Sequence, residues 1–132
     1  MAHIADLAPY DYDREAPDAL AVGWLDESAP FATGACPEDV TVRLVELAAH
    51  PVRLMRGYHY CQFCWRAAPP PQFLRAAPDV AHGNGEIWIT ATDGTIYAAP
   101  VLIAHYIDAH SYLPPIGFVE AVRTGAPTEG LS

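Results

Sequence analysis

The chain has 132 residues, 52% of them hydrophobic, and a formal net charge of −9. That length fits one compact domain with its own core, spanning 1–132, and its apolar runs are far too short to cross a membrane. Its seven basic residues are all arginine, and the first 39 residues carry nine acids against Arg14 alone. Such a balance repels nucleic-acid phosphates and anionic lipid, so neither DNA nor a membrane is expected as a partner. A basic protein partner fits the charge, and so does a plain solubilising surface.

The N-terminus, M-A-H-I-A-D-L-A-P-Y, has neither a basic start nor an apolar core of the kind a signal peptide needs. A cytoplasmic location is the simplest expectation. Three cysteines, an odd number, then point to metal or free thiols before a disulfide framework.

In chain order, residues 1–22 read as an irregular acidic arm, with Pro9 and Pro17 holding Tyr10 and Tyr12 extended towards a surface. Trp24 and Phe31 sit in a turn-rich segment and read as core aromatics. Cys36-Pro37-Glu38-Asp39 predicts a helix start: Cys36 at the N-cap, proline at the first helical position and two acids at the positive end of the dipole. Val40, Leu44, Leu47 and Ala48 then recur on one face until Pro51. An N-cap position can lower a thiol pKa, but Cys36 has no histidine next to it and reads as structural.

Residues 52–60 read as a strand, with Val52, Leu54, Tyr58 and Tyr60 alternating along it. A stiff proline linker follows at 67–72. H-G-N-G at 82–85 predicts a turn, with Asn84 and Glu86 as turn and strand-start residues. A hairpin of 86–91 with 95–98 is expected around T-D-G. Pro100 is expected to open a helix ending near Ser111, and a last short helix should run over about 115–123 and end at Gly125.

Chemistry concentrates in two places. C-Q-F-C (61–64) supplies two thiols that a tight turn can aim at one centre, about 2.3 Å from a zinc ion. H-Y-I-D-A-H (105–110) supplies two imidazoles at a spacing used by zinc-finger histidines. Five positions of an ideal helix turn through about 500°, which leaves the rings about 140° apart. The end of the helix must therefore depart from α geometry if both are to reach one ion.

Cys61, Cys64, His105 and His110 are the expected ligands of a tetrahedral Zn(2+). His59, two positions from Cys61 on the same strand face, and His82, in the glycine turn, are alternates for one helix histidine. Forty residues separate Cys64 from His105, too many for a tandem DNA-reading finger. The order knuckle, linker, hairpin, helix fits a treble-clef or enlarged finger-like core over 52–112. The expected class is thus α+β: a small antiparallel sheet and about three helices organised by zinc.

A redox C-x-x-C needs a helix N-terminus in a βαβ setting, and W-R-A-A-P-P-P after Cys64 predicts no helix. A catalytic zinc needs an open position, and Glu86 is the available base for a hydrolase-like alternative. H-E-x-x-H, G-x-S-x-G and phosphate-loop signatures are all missing, and the order of the zinc deaminase motif differs.

G-W-L-D (23–26), R-G-Y-H-Y-C-Q-F-C (56–64), G-N-G-E-I (83–87) and Y-A-A-P-V-L-I-A-H-Y-I-D-A-H-S-Y-L-P-P (97–115) resemble a family of small, uncharacterised actinobacterial proteins. The resemblance runs from the L-A-P-Y segment to the final helix. It implies an intact bacterial cytoplasmic domain and adds no reaction. The expected function is a zinc-binding, non-enzymatic interaction or regulatory protein, with an acidic immunity-type protein as one concrete form.

Overall fold

The computed structural model describes residues 3–10, 17–54, 59–67 and 82–131. Tyr12, Tyr58 and the proline run of the linker lie outside them. The elements are β1 (Leu20–Ala21), α1 (Glu38–Ala48), β2 (His59–Tyr60), α2 (Gln62–Ala67), β3 (His82–Gly83), β4 (Glu86–Thr90), β5 (Ile96–Pro100), α3 (Ile103–His110), α4 (Ile116–Thr124) and β6 (Ala126–Pro127). The class is α+β, as expected. The main sheet has the order β1-β5-β4-β6, and β2 pairs with β3 in a separate ladder.

The β4–β5 hairpin is the centre of the fold. Thr92-Asp93-Gly94 closes it, with Gly94 at φ +92°, a conformation that residues with a side chain rarely adopt. Trp88 faces Ala98 and Ile89 faces Tyr97 across the antiparallel pair. Side chains alternate between the two faces of a strand, and here both faces are covered. Ile87, Ile89, Tyr97 and Ala99 pack into a core with Val40 and Leu44 of α1, Ile103 and Tyr106 of α3, and Phe118 and Val122 of α4. Trp88 and Ala98 face the other way, into a cluster with Tyr10, Ala19, Ala21 and Trp24. Two-sided burial explains why E-I-W-I-T is apolar through its middle instead of alternating with polar residues.

That second cluster seats the described part of the N-terminal segment, residues 3–10 and 17–22, on the sheet. Leu20–Ala21 pairs in parallel with Tyr97–Ala98, which makes the sheet mixed instead of wholly antiparallel. Tyr10 stacks on Trp24 with ring centroids 5.0 Å apart and meets Trp88 edge-on at 5.9 Å. The Trp24 indole donates to the Ala98 carbonyl at 3.0 Å. Large aromatics bury about 150–250 Å² each, an upper bound of roughly 4–6 kcal/mol apiece, so this segment is held firmly on the sheet. Tyr10 is therefore an interior residue, not a free grip for a partner.

Three local readings shift. Pro37, not Cys36, occupies the N-cap of α1, with Glu38 and Asp39 in the first turn. Pro100 closes β5, and α3 opens three residues later, at Ile103 after the N-cap Leu102. The expected strand over 52–60 is interrupted. Val52 exchanges two backbone hydrogen bonds with Glu86 at 2.8 and 2.9 Å, but Arg53 has φ +54° and Leu54 is left exposed. A left-handed residue cannot continue a pleated strand. The last helix falls where expected, with Pro115 at its start and Gly125 at its end. Among the described residues, no helix is long and apolar enough to cross a membrane.

Candidate metal centre

Cys61 follows β2 and immediately precedes α2, of which Cys64 is the third residue. This corrects the expectation that no helix follows the thiol pair. The amides of Phe63 and Cys64 hydrogen-bond the Cys61 sulfur, which thus serves as the cap of the short helix. A sulfur in that role gives no familiar N-cap signal in sequence, and six residues rich in aromatics do not announce a helix.

The imidazoles come from α3. Its last turn is wider than an α-turn: the Ser111 amide donates to the Tyr106 carbonyl, five residues back. The Tyr112 amide returns to the same carbonyl at 3.1 Å. Ser111 itself is left-handed, at φ 55° and ψ 29°. A turn closed over five residues returns position i+5 towards the same side of the axis. This is how His105 and His110, five apart, come to face one point. The helix end is pinned from outside as well. The Tyr112 hydroxyl donates to Asp6 at 2.7 Å, and the Gly34 amide donates to the Ser111 carbonyl at 3.0 Å.

The donor atoms of Cys61, Cys64, His105 and His110 all lie within 4.8 Å of one another, and the group could hold a metal ion. Cys61 Sγ is 3.3 Å from His110 Nε2. Cys64 Sγ is 3.3 Å from His105 Nε2 and 3.5 Å from His110 Nε2. A sulfur about 2.3 Å and a nitrogen about 2.0–2.1 Å from a tetrahedral centre stand about 3.5 Å apart. Three of the four sulfur–nitrogen separations match that edge, and the group is of a size and donor type that could hold one four-coordinate ion. His59 and His82 sit in β2 and β3, where His82 opposes Tyr60 in the ladder. Their side chains lie outside the described residues.

Burial sets the protonation. It lowers the pKa of His105 and His110, with His110 adding to the effect at His105. Both rings are thereby kept neutral, the form that ligates metal. Burial also pushes the Cys61 thiol up to about 11, so a cation must displace its proton to bind. The Phe63 ring covers one side, with its centroid 5.0 Å from that of His110, and packs edge-on against Phe31 and Tyr106. Phe63 was not singled out in the sequence, although its place inside C-x-x-C was the available clue.

Glu86 is only 4% exposed and is enclosed elsewhere. Its carboxylate accepts the Tyr10 hydroxyl, the Trp88 indole N–H at 2.8 Å and Arg53 Nε at 3.0 Å. Cys36 is half-buried, its thiol pKa raised by burial, and it stands outside the four-donor group.

Residues 2–123 match the family described as Domain of unknown function (DUF7919), and the chain belongs to that family. No curated protein and no solved structure matches the chain.

Proposed function

We propose that this member of the family is a zinc-clamped, non-enzymatic interaction or regulatory protein. The observation that carries the reading is the set of sulfur–nitrogen separations of 3.3–3.5 Å among Cys61, Cys64, His105 and His110. Two thiolates and two imidazoles select zinc over magnesium or calcium, which prefer oxygen donors. Four protein donors fill a tetrahedron and leave no position for a reactive water, the pattern of a structural ion. Thiolate donors also favour a reducing compartment such as the bacterial cytoplasm.

The ion's work here is mechanical. Cys61 and Cys64 bring the start of α2, and His105 and His110 bring α3, so one ion joins segments more than forty positions apart in sequence. The hydrolase alternative needs Glu86 at the metal, whereas Tyr10, Trp88 and Arg53 hold its carboxylate. A net charge of −9 supports a basic protein partner, as for an acidic immunity-type protein, over nucleic acid or anionic membrane.

Elemental analysis of untagged protein tests the clamp. One zinc per chain is expected, lost in Cys61→Ser and His105→Ala together with a clear drop in melting temperature. Protein that purifies without zinc and takes none up from solution would end the reading.

A further inference from the structure

We propose that Cys61 and Cys64 form a peroxide-responsive release device: their oxidation to a disulfide discharges the ion and loosens the hold of α2 on α3. The inference rests on the zinc-clamp reading and adds its regulation.

The four donors are unequally shielded. Cys61 is fully buried, while Cys64, His105 and His110 keep partial exposure. A small oxidant therefore meets the Cys64 sulfur first, and Cys61 stands behind it as the resolving thiol. The pair is already placed to join. Cys61 stands at the start of α2 and Cys64 lies in its first turn, a three-residue helical spacing that sets the Cα atoms roughly 5 Å apart, inside the range a disulfide spans. Their sulfurs lie within 4.8 Å of one another and close to about 2.05 Å on bonding.

The chemistry balances with a peroxide as oxidant. The Cys64 thiolate attacks one peroxide oxygen and the O–O bond breaks. Hydroxide leaves and takes up a proton to become water, and Cys64 becomes a sulfenic acid. The Cys61 thiolate then attacks that sulfur. The S–S bond forms, the S–O bond breaks, and a second hydroxide is protonated to water. The two sulfurs give up two electrons in all, the peroxide accepts them, and the cation's oxidation state is unchanged.

Both anionic donors vanish in one event, and two neutral imidazoles on one helix hold zinc far more weakly than the complete set. Only the sulfurs tie α2 to the ion, and α2 is six residues long, too short to persist unsupported. Among the described residues it then keeps the Phe63 ring against Phe31, Tyr106 and His110, and the Gln62 side chain accepting from the Glu27 amide at 3.2 Å. Oxidation thus loosens the knuckle on one side of the core while Trp24, Trp88 and the sheet stay packed.

The test uses zinc-loaded full-length protein and its Cys36→Ser variant, treated with hydrogen peroxide. Released zinc is followed with a chromogenic chelator, the thiols by peptide mapping and the knuckle by hydrogen exchange. One zinc released per Cys61–Cys64 disulfide is expected in both proteins. Amide exchange should rise over 61–67, and a dithiol reductant with added zinc should restore the starting state. Zinc retained under peroxide, zinc released with Cys64 driven to sulfinate and no disulfide, or unchanged exchange at the knuckle would each overturn the device while leaving the clamp intact. A chain that holds no zinc before peroxide is added removes the clamp, and the device with it.

Discussion

The Tyr10 hydroxyl donates to the carboxylate of Glu86 from 76 positions away in sequence. With Trp88 and Arg53 on the same carboxylate, this bond fastens the N-terminal segment and the 51–54 turn to the first residue of β4. Glu86→Gln keeps the shape but removes the charge that Arg53 faces. Arg53 retains 19% side-chain exposure, so the cost should fall below that of a fully buried broken pair, at about 2–3 kcal/mol. Denaturant unfolding should register that loss with bound zinc unchanged. A Glu86→Gln protein of wild-type stability that instead loses an enzymatic activity would favour the hydrolase alternative.

Ser111 carries the left-handed turn that lets His110 face His105. Ser111→Gly relieves the side-chain penalty of that conformation and should leave stability level or raise it by up to about 1 kcal/mol. Ser111→Val places a β-branched side chain where it is a genuine outlier, costing about 1–2 kcal/mol. Competition with a chromogenic zinc chelator should show weaker zinc binding in the valine variant and wild-type binding in the glycine variant. Equal affinities would mean the helix end does not govern the site.

Proton linkage gives the zinc-stripped chain a stability plateau with two edges. Folding lowers the pKa of His105 and His110 from the ordinary 6.5, so the unfolded chain binds more protons below that pH and stability falls on acidification. Folding raises Cys61 from 9.0 to about 11, so between those values the folded chain holds the extra proton and stability falls as the pH climbs. Melting temperatures from pH 5 to 10 should be highest between about 6.5 and 9. Flat behaviour across both edges would show that these burial effects are not felt in solution.

Cobalt substitution reads the coordination directly. A filled tetrahedron of two sulfurs and two nitrogens should give intense visible bands with sulfur-to-cobalt charge transfer and no exchangeable water. A water on the metal would reopen catalysis.

The sequence disclosed the chemistry more readily than the chain path. Cysteine and histidine in two spaced pairs are conspicuous as residue types, and the five-residue histidine spacing already required a non-α helix end, met by the bond from Ser111 to Tyr106. α1, the hairpin and α4 were legible because Pro37, Gly94, Pro115 and Gly125 punctuate clear apolar periods. β1 and β6 have two residues each and carry no periodicity to read. The break at Arg53 comes from tertiary context, the pairing of Val52 with Glu86, which a local alternation pattern does not encode. α2 was missed because its cap is a sulfur.

The parallel seat of β1 against β5 bears on synthesis. Trp24 and its acceptor carbonyl on Ala98 are 74 positions apart, so on a ribosome adding about 5–20 residues per second the early segment waits roughly 4–15 s for its mate. In that interval Trp24 and the apolar stretch around it are bare on the nascent chain. The acids that crowd the first 39 residues discourage neighbouring polysome chains from sticking there until the hairpin emerges.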